Sequence, residues 1–138
     1  INRERIKKGE VLVSLYMFSP EFRKLFTGNK MRGEATGIII VGRYAKFLVD
    51  RYRKDTLTDF RREAEFIENL LLQDDSYVRE LATIGFLEGI QNIWRNNDVD
   101  PNLFYKYLLP EGRKWWWELE RFWKGEVTYI GETFSGVV

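Results

Sequence analysis

The sequence predicts an all-α domain, an irregular bundle of about six or seven helices in antiparallel pairs. Two observations carry that prediction. Apolar residues recur at spacings of three and four along most of the chain, the signature of one buried helical face. The breaks between these stretches are short and rich in capping residues, as at Ser19-Pro20-Glu21 and Asp74-Asp75-Ser76. With 138 residues, 44% hydrophobic and 31% charged, the chain can bury one core. It shows no fixed-period repeat, low-complexity stretch or linker, so residues 1–138 read as a single helical domain.

Ile6, Val13, Tyr16 and Met17 fall near one face of a first helix over about residues 3–18. Ser19, Pro20 and Glu21 then supply a cap, a first-turn proline and a dipole-matched acid for a short helix with Phe22, Leu25 and Phe26 as its stripe. Residues 27–37, with Gly28, Gly33 and Gly37, read as a loop or broken segment. Ile38-Ile39-Ile40-Val41 would suit a strand, but Ala45, Leu48, Val49 and Tyr52 follow at helical spacing and favour a helix over about 38–54. Thr56 or Thr58 is expected to cap a helix running to Leu72, with Phe60, Ala64, Ile67 and Leu71 inward.

The next helix, 77–94, should bury Val78, Leu81, Ala82, Gly85, Phe86, Gly89 and Ile93. Two glycines there cost about 1 kcal/mol each relative to alanine, and a closely approaching neighbour is the expected compensation. Asp100-Pro101 opens a short helix through Tyr107, and Pro110-Glu111 opens the last, ending near Lys124-Gly125. The tail, 126–138, is equally consistent with a short β-hairpin and an extended arm.

Cysteine and histidine are both absent. That excludes disulfides, thiolate nucleophiles, imidazole bases and Cys/His zinc sites. No phosphate-binding glycine loop and no nucleophile elbow occurs, and the paired acids lack a Glu-x-x-His partner. The expectation is therefore a protein without enzyme activity, cofactor or metal. No stretch is long and apolar enough to span a bilayer, so no membrane partner is expected. The opening Ile1-Asn2-Arg3-Glu4-Arg5 lacks a Met, as a trimmed start would, and no targeting signal is visible. A cytoplasmic location follows as the expectation, although a cysteine-free chain also suits the periplasm.

The formal charge of +1 conceals a split. Residues 1–62 hold 15 Lys/Arg and 7 Asp/Glu, a net of +8, whereas residues 63–138 hold 7 and 14, a net of −7. The split either steers a charged partner or pairs the two halves across one globule.

Four of the five tryptophans lie between Trp115 and Trp123. Successive helix positions turn by about 100°, so Trp115, Trp116 and Trp117 cannot all face one core. Trp115, Leu119 and Phe122 share an expected inner face, with Trp116 and Trp123 beside it and Trp117 opposite, near Arg121. Either Trp117 is exposed beside an arginine, a combination favoured at protein interfaces, or the helix is wedged and all three rings pack. The partner-binding candidates are Trp117 and Arg121 with the acids Glu65, Glu68, Asp74 and Asp75.

Two further groups invite a functional reading. Glu88 sits beyond Leu81 and Ile84 on a mostly apolar face, where a half-buried carboxyl would titrate high unless paired. It reads either as a base or ligand in a pocket with Asn92 and an arginine, or as a structural acceptor for Arg43 or Arg51. Arg43, Lys46, Arg53, Lys54, Arg61 and Arg62, interleaved with aromatics, would suit a nucleic-acid-associated protein. Asp50, Asp55 and Asp59 interrupt that series, which favours a solvated face instead.

Gly42-Arg43-Tyr44-Ala45-Lys46-Phe47-Leu48, Phe66-Ile67-Glu68, Gly85-Phe86-Leu87-Glu88-Gly89-Ile90 and Tyr107-Leu108-Leu109-Pro110-Glu111-Gly112-Arg113-Lys114-Trp115-Trp116 form a recognisable set. Together they resemble a family of small all-helical bacterial proteins of uncharacterised activity. Those proteins share a Gly-Phe-Leu-Glu helix and a Leu-Gly-Pro-Glu-Ser-Arg-x-x-Trp helix start. The resemblance spans about residues 38–124 and departs at Leu109, Gly112 and the triple tryptophan. Members look like immunity proteins that accompany secreted toxins, which implies a stoichiometric protein inhibitor whose partner is a cognate toxin.

Overall fold

A computed structural model describes residues 6–25 and 37–125. Every regular element among the described residues is helical. A single turn of 3-10 helix, Lys8–Glu10, leads into α1 (Val11–Phe18), which Ser19 separates from α2 (Pro20–Lys24). α3 (Gly37–Lys54) and α4 (Arg61–Leu71) follow. Residues 76–96 then form one rod: α5 (Ser76–Glu80), a π-helical stretch (Leu81–Leu87) and α6 (Glu88–Asn96). α7 (Asn102–Tyr105) and α8 (Pro110–Trp123) complete the bundle. Residues 3–5, Phe26, the loop before Gly37 and the tail at 126–138, expected as a hairpin or an extended arm, lie outside the described residues.

The rod is the centre of the fold. α3 packs along both its π stretch and α6, while α4 and α8 close over the other sides of the π stretch. The expected close approach is present at the two glycines. A Cβ on Gly85 would lie 3.0 Å from Val41 Cγ1, and one on Gly89 would lie 3.6 Å from Ala45 Cβ. Both neighbours are buried residues of α3, so the glycines let two backbones meet.

Aromatic rings fill the space around this crossing. Trp94 is fully buried, edge-on to Phe60 and Phe104, and its indole N–H donates to the Ala45 carbonyl at 3.2 Å. Phe22 of α2 stands edge-on to Tyr44 and Phe47, and Tyr44 stands edge-on to Phe86. These centroid separations of 5.1–5.8 Å match the offset and edge-on geometries that ring quadrupoles favour.

Three local expectations are corrected. In α1 the inward residues are Val11 and Leu15, with Ile6 before them, whereas Val13 is 56% and Met17 76% exposed. Only Ser14 interrupts an otherwise apolar α1, so its pattern has no polar face from which to infer the inner one. α4 is not capped by a threonine. Thr58 instead donates its hydroxyl to the Asp55 carbonyl at 2.6 Å, closing a turn, and Asp59 accepts the Arg61 N–H at 2.8 Å before the helix begins. In the rod, Leu87, Ile90, Gln91 and Trp94 join the buried set, and Gly89 and Ile93 are only half-buried. The i→i+5 bonding of a π stretch rotates the residues that follow it, which a uniform helical period does not anticipate.

The two glycines should respond oppositely to added bulk. In urea unfolding, Gly89→Ala is expected to raise stability by up to about 1 kcal/mol, because its Cβ meets only ordinary contact. Gly85→Leu is expected to lower it by about 1–3 kcal/mol, because the stiff, fully buried Val41 cannot yield.

Candidate functional site

α8 carries the site, and another helix holds its start. Pro110 occupies the first turn, where its missing N–H costs nothing. Both Glu68 carboxylate oxygens cap the next donors, accepting the Glu111 N–H at 3.0 Å and the Gly112 N–H at 2.8 Å. A carboxylate at a helix N-terminus also meets the positive end of the helix dipole. Further along, Gln91 donates to the Trp116 carbonyl at 3.2 Å, tying α8 to α6.

The tryptophans divide differently from the expectation. Trp116, Leu119 and Gly112 face the core, while Trp115 and Phe122 are half-buried. The helix lies rotated by about one residue from the anticipated inner face, because Glu68 and Gln91 anchor it on the Gly112–Trp116 side. Trp115 instead borders a shallow open cleft of about 300 Å³, with Ser76, Arg79, Glu80, Thr83 and Ile84. Trp117 is 52% exposed and Trp123 58% exposed.

Trp117 and Arg121 meet on the outer side, with the guanidinium carbon 4.8 Å from the indole ring. The Arg121 guanidinium also lies 3.8 Å from a carboxylate oxygen of Glu118, which is fully buried. A buried carboxylate needs a compensating charge, so Glu118 constrains the arginine that covers Trp117. Arg113 is held too, donating to the Leu108 and Lys106 carbonyls at 2.8 and 3.1 Å while lying over the Tyr105 ring. This is a preorganised apolar-cationic surface built on a regular helix.

Two of the expected acidic partners carry capping duties within the fold. Glu68 is committed to the α8 backbone, and Asp75 caps α5 by accepting the Tyr77 and Val78 N–H groups. Glu65 and Asp74 are exposed. A cap was expected within Asp74-Asp75-Ser76 and Asp75 supplies it, whereas the capping duty of Glu68 was not anticipated. Nothing in the spacing of Glu68 could reveal a contact 43 residues away.

Glu88 is partly exposed, and Asn92, one turn on, is exposed. Burial raises the Glu88 carboxyl above its ordinary value, opposed by a hydrogen bond from the Trp123 side chain. Of the two arginines considered as its partners, Arg51 is engaged elsewhere, with the Glu63 carboxylate at 3.0 Å. The basic series is likewise laced with acceptors. Lys46 pairs with Asp50 at 3.0 Å, Arg61 with Asp59 at 3.1 Å, and Arg53 donates to Asn97 at 3.3 Å. Arg62 lies over the Phe18 ring, while Arg43 and Lys54 are exposed.

Among the described residues no helix is long and apolar enough to cross a membrane, and no group of three or more His, Cys, Asp or Glu could hold a metal ion. The model for a domain of unknown function, DUF7674, matches residues 15–124, and the chain belongs to that family. The match takes in α2 to α8 and the second half of α1. No match was found among curated proteins or among solved structures.

Two outcomes follow from these contacts. Glu68→Ala removes both caps and is expected to lower stability by about 1–2 kcal/mol in chemical denaturation. Glu88→Gln retains an acceptor for Trp123 and removes the penalised charge. A carboxyl whose folded pKa exceeds its unfolded one costs stability as pH rises past the unfolded value near 4.5. Glu88→Gln should therefore be more stable than the parent at pH 7, an advantage that disappears in melts taken below the carboxyl range.

Proposed function

We propose that this chain is a non-catalytic protein-binding module and, within that class, an immunity protein that neutralises a bacterial toxin by stoichiometric binding. The observation that carries the reading is the half-exposed Trp117 held under Arg121 on a rigid helix. Exposing half an indole to water is costly for a monomer, and tryptophan with arginine is the pairing most enriched among residues that dominate protein interfaces. Glu68 and Gln91 anchor α8, and Glu118 within it holds Arg121, so little ordering remains to be paid on docking. The narrower, toxin-directed part rests on the resemblance of the Gly85–Ile90 and Tyr107–Trp116 segments to immunity-like proteins.

The direct test is co-expression with the product of a neighbouring gene in the native host, followed by size-exclusion chromatography and calorimetry. A one-to-one complex that blocks the partner's toxicity is expected. Trp117→Ala should weaken it by roughly thirtyfold or more, the range of an interface hot spot, with little change in the thermal unfolding of the free protein. If no neighbouring product binds, or if Trp117→Ala binds as tightly as the parent, the reading fails.

A further inference from the structure

The reading of Trp117 as a docking residue leaves its partner's chemistry open, and the charge around the indole addresses it. At about 100° per residue, Arg113, Lys114, Trp117, Glu120, Arg121 and Lys124 fall within one outward strip of α8. Arg113, Trp117 and Lys124 are exposed, and the other three are partly so. The strip thus holds four cations against one acid, and that acid is itself paired with Arg95 at 3.1 Å. This is unlike the region from which it comes. Residues 63–138 contain only 7 Lys/Arg against 14 Asp/Glu, so more than half of their cations gather on this one strip.

The local acids offset part of the excess without removing it. Glu111 pairs with Lys114 at 3.1 Å, and Glu118 is turned into the core beneath Arg121. Arg113 directs its Nε and Nη2 donors to the Leu108 and Lys106 carbonyls, which carry no net charge. Lys106 adds another exposed cation at that end, over the Tyr107 ring.

Resting on the protein-binding reading, we propose that this strip docks an acidic protein surface, with carboxylates flanking an apolar recess that receives the Trp117 indole. Guanidinium groups such as those of Arg113 and Arg121 match carboxylates geometrically. A cationic strip would also accelerate encounter with an acidic partner in a salt-dependent way. The arrangement suits a nucleic acid less well. The strip carries one indole, Arg121 already covers it at 4.8 Å, and Glu120 stands beside them. A strand-tracking groove instead offers successive open rings along an uninterrupted basic path.

The test titrates the isotope-labelled full chain, by NMR, with three probes. These are a short Glu/Asp-rich peptide with a leucine at its centre, the same peptide with lysines for the acids, and an oligo-dT strand. The Trp117 indole signal is assigned by its loss in Trp117→Phe. The acidic peptide is expected to shift that signal and to bind about tenfold more tightly than the lysine peptide, with the advantage shrinking severalfold in high salt. Lys124→Glu, at the exposed end of α8, should cost the acidic peptide several-fold in affinity while leaving the fold intact. Equal or tighter binding of the lysine peptide at Trp117 would overturn the acidic partner and leave the protein-binding reading standing. Stronger engagement of Trp117 by oligo-dT would overturn both. Failure of either peptide to move the Trp117 signal would overturn this inference alone, since the co-expression experiment judges the broader reading separately.

Discussion

The backbone of α3 lies against the rod 76–96 at Gly85 and Gly89, and the remaining helices take their places from that contact. Val41 occupies the space that a side chain at Gly85 would claim, while a Cβ at Gly89 would meet Ala45 at ordinary contact. A closer crossing aligns the facing side chains of both helices, so Trp94 reaches the Ala45 carbonyl and Phe86 meets Tyr44 edge-on. The backbone entropy cost of glycine within a helix is offset by this burial. The π stretch belongs to the same arrangement, since its changed bonding redirects Ile90 and Trp94 into the core.

α8 depends on the rod and on α4 for its rotation. Glu68 secures its first turn, Gln91 grips its middle and Leu119 fills the core behind it. These contacts bury Trp116 and leave Trp117 outside, where Arg121 lies between the indole and the buried Glu118. Core contacts on one side of a helix thus orient an interaction surface on the other. Such coupling explains how a 138-residue protein can present a large, rigid aromatic side chain without a long loop.

The division of charge along the chain has two physical outcomes. Part of it is local neutralisation between the halves, as when Arg51 from the basic region meets Glu63 from the acidic one at 3.0 Å beneath the Phe47 and Phe60 rings. Burial also raises the nearby Tyr44 phenol, with the Glu63 carboxylate acting in the same direction, so this tyrosine stays neutral in the core. The other outcome is reversed from the sequence tally: the outer strip of α8 is basic although it belongs to the acidic half. Net charge over a segment counts residues, whereas a partner meets only those that share a surface.

The helices, their short connections and the close approach at Gly85 and Gly89 were legible in the sequence, because periodicity, caps and glycine spacing act over a few residues. The separation of Trp117 from its neighbouring tryptophans was legible for the same reason, since three adjacent positions cannot share one face. Which face of α1 turns inward was not, as Val11, Leu12, Val13, Leu15, Tyr16 and Met17 are all apolar and only neighbouring helices choose among them. The choice of Trp116 over Trp115 for the core, the capping duty of Glu68 and the Trp123 contact of Glu88 also required the tertiary structure. Each is settled by groups tens of residues apart in the chain, and local spacing determines which residues lie together on a helix without determining what that helix will meet.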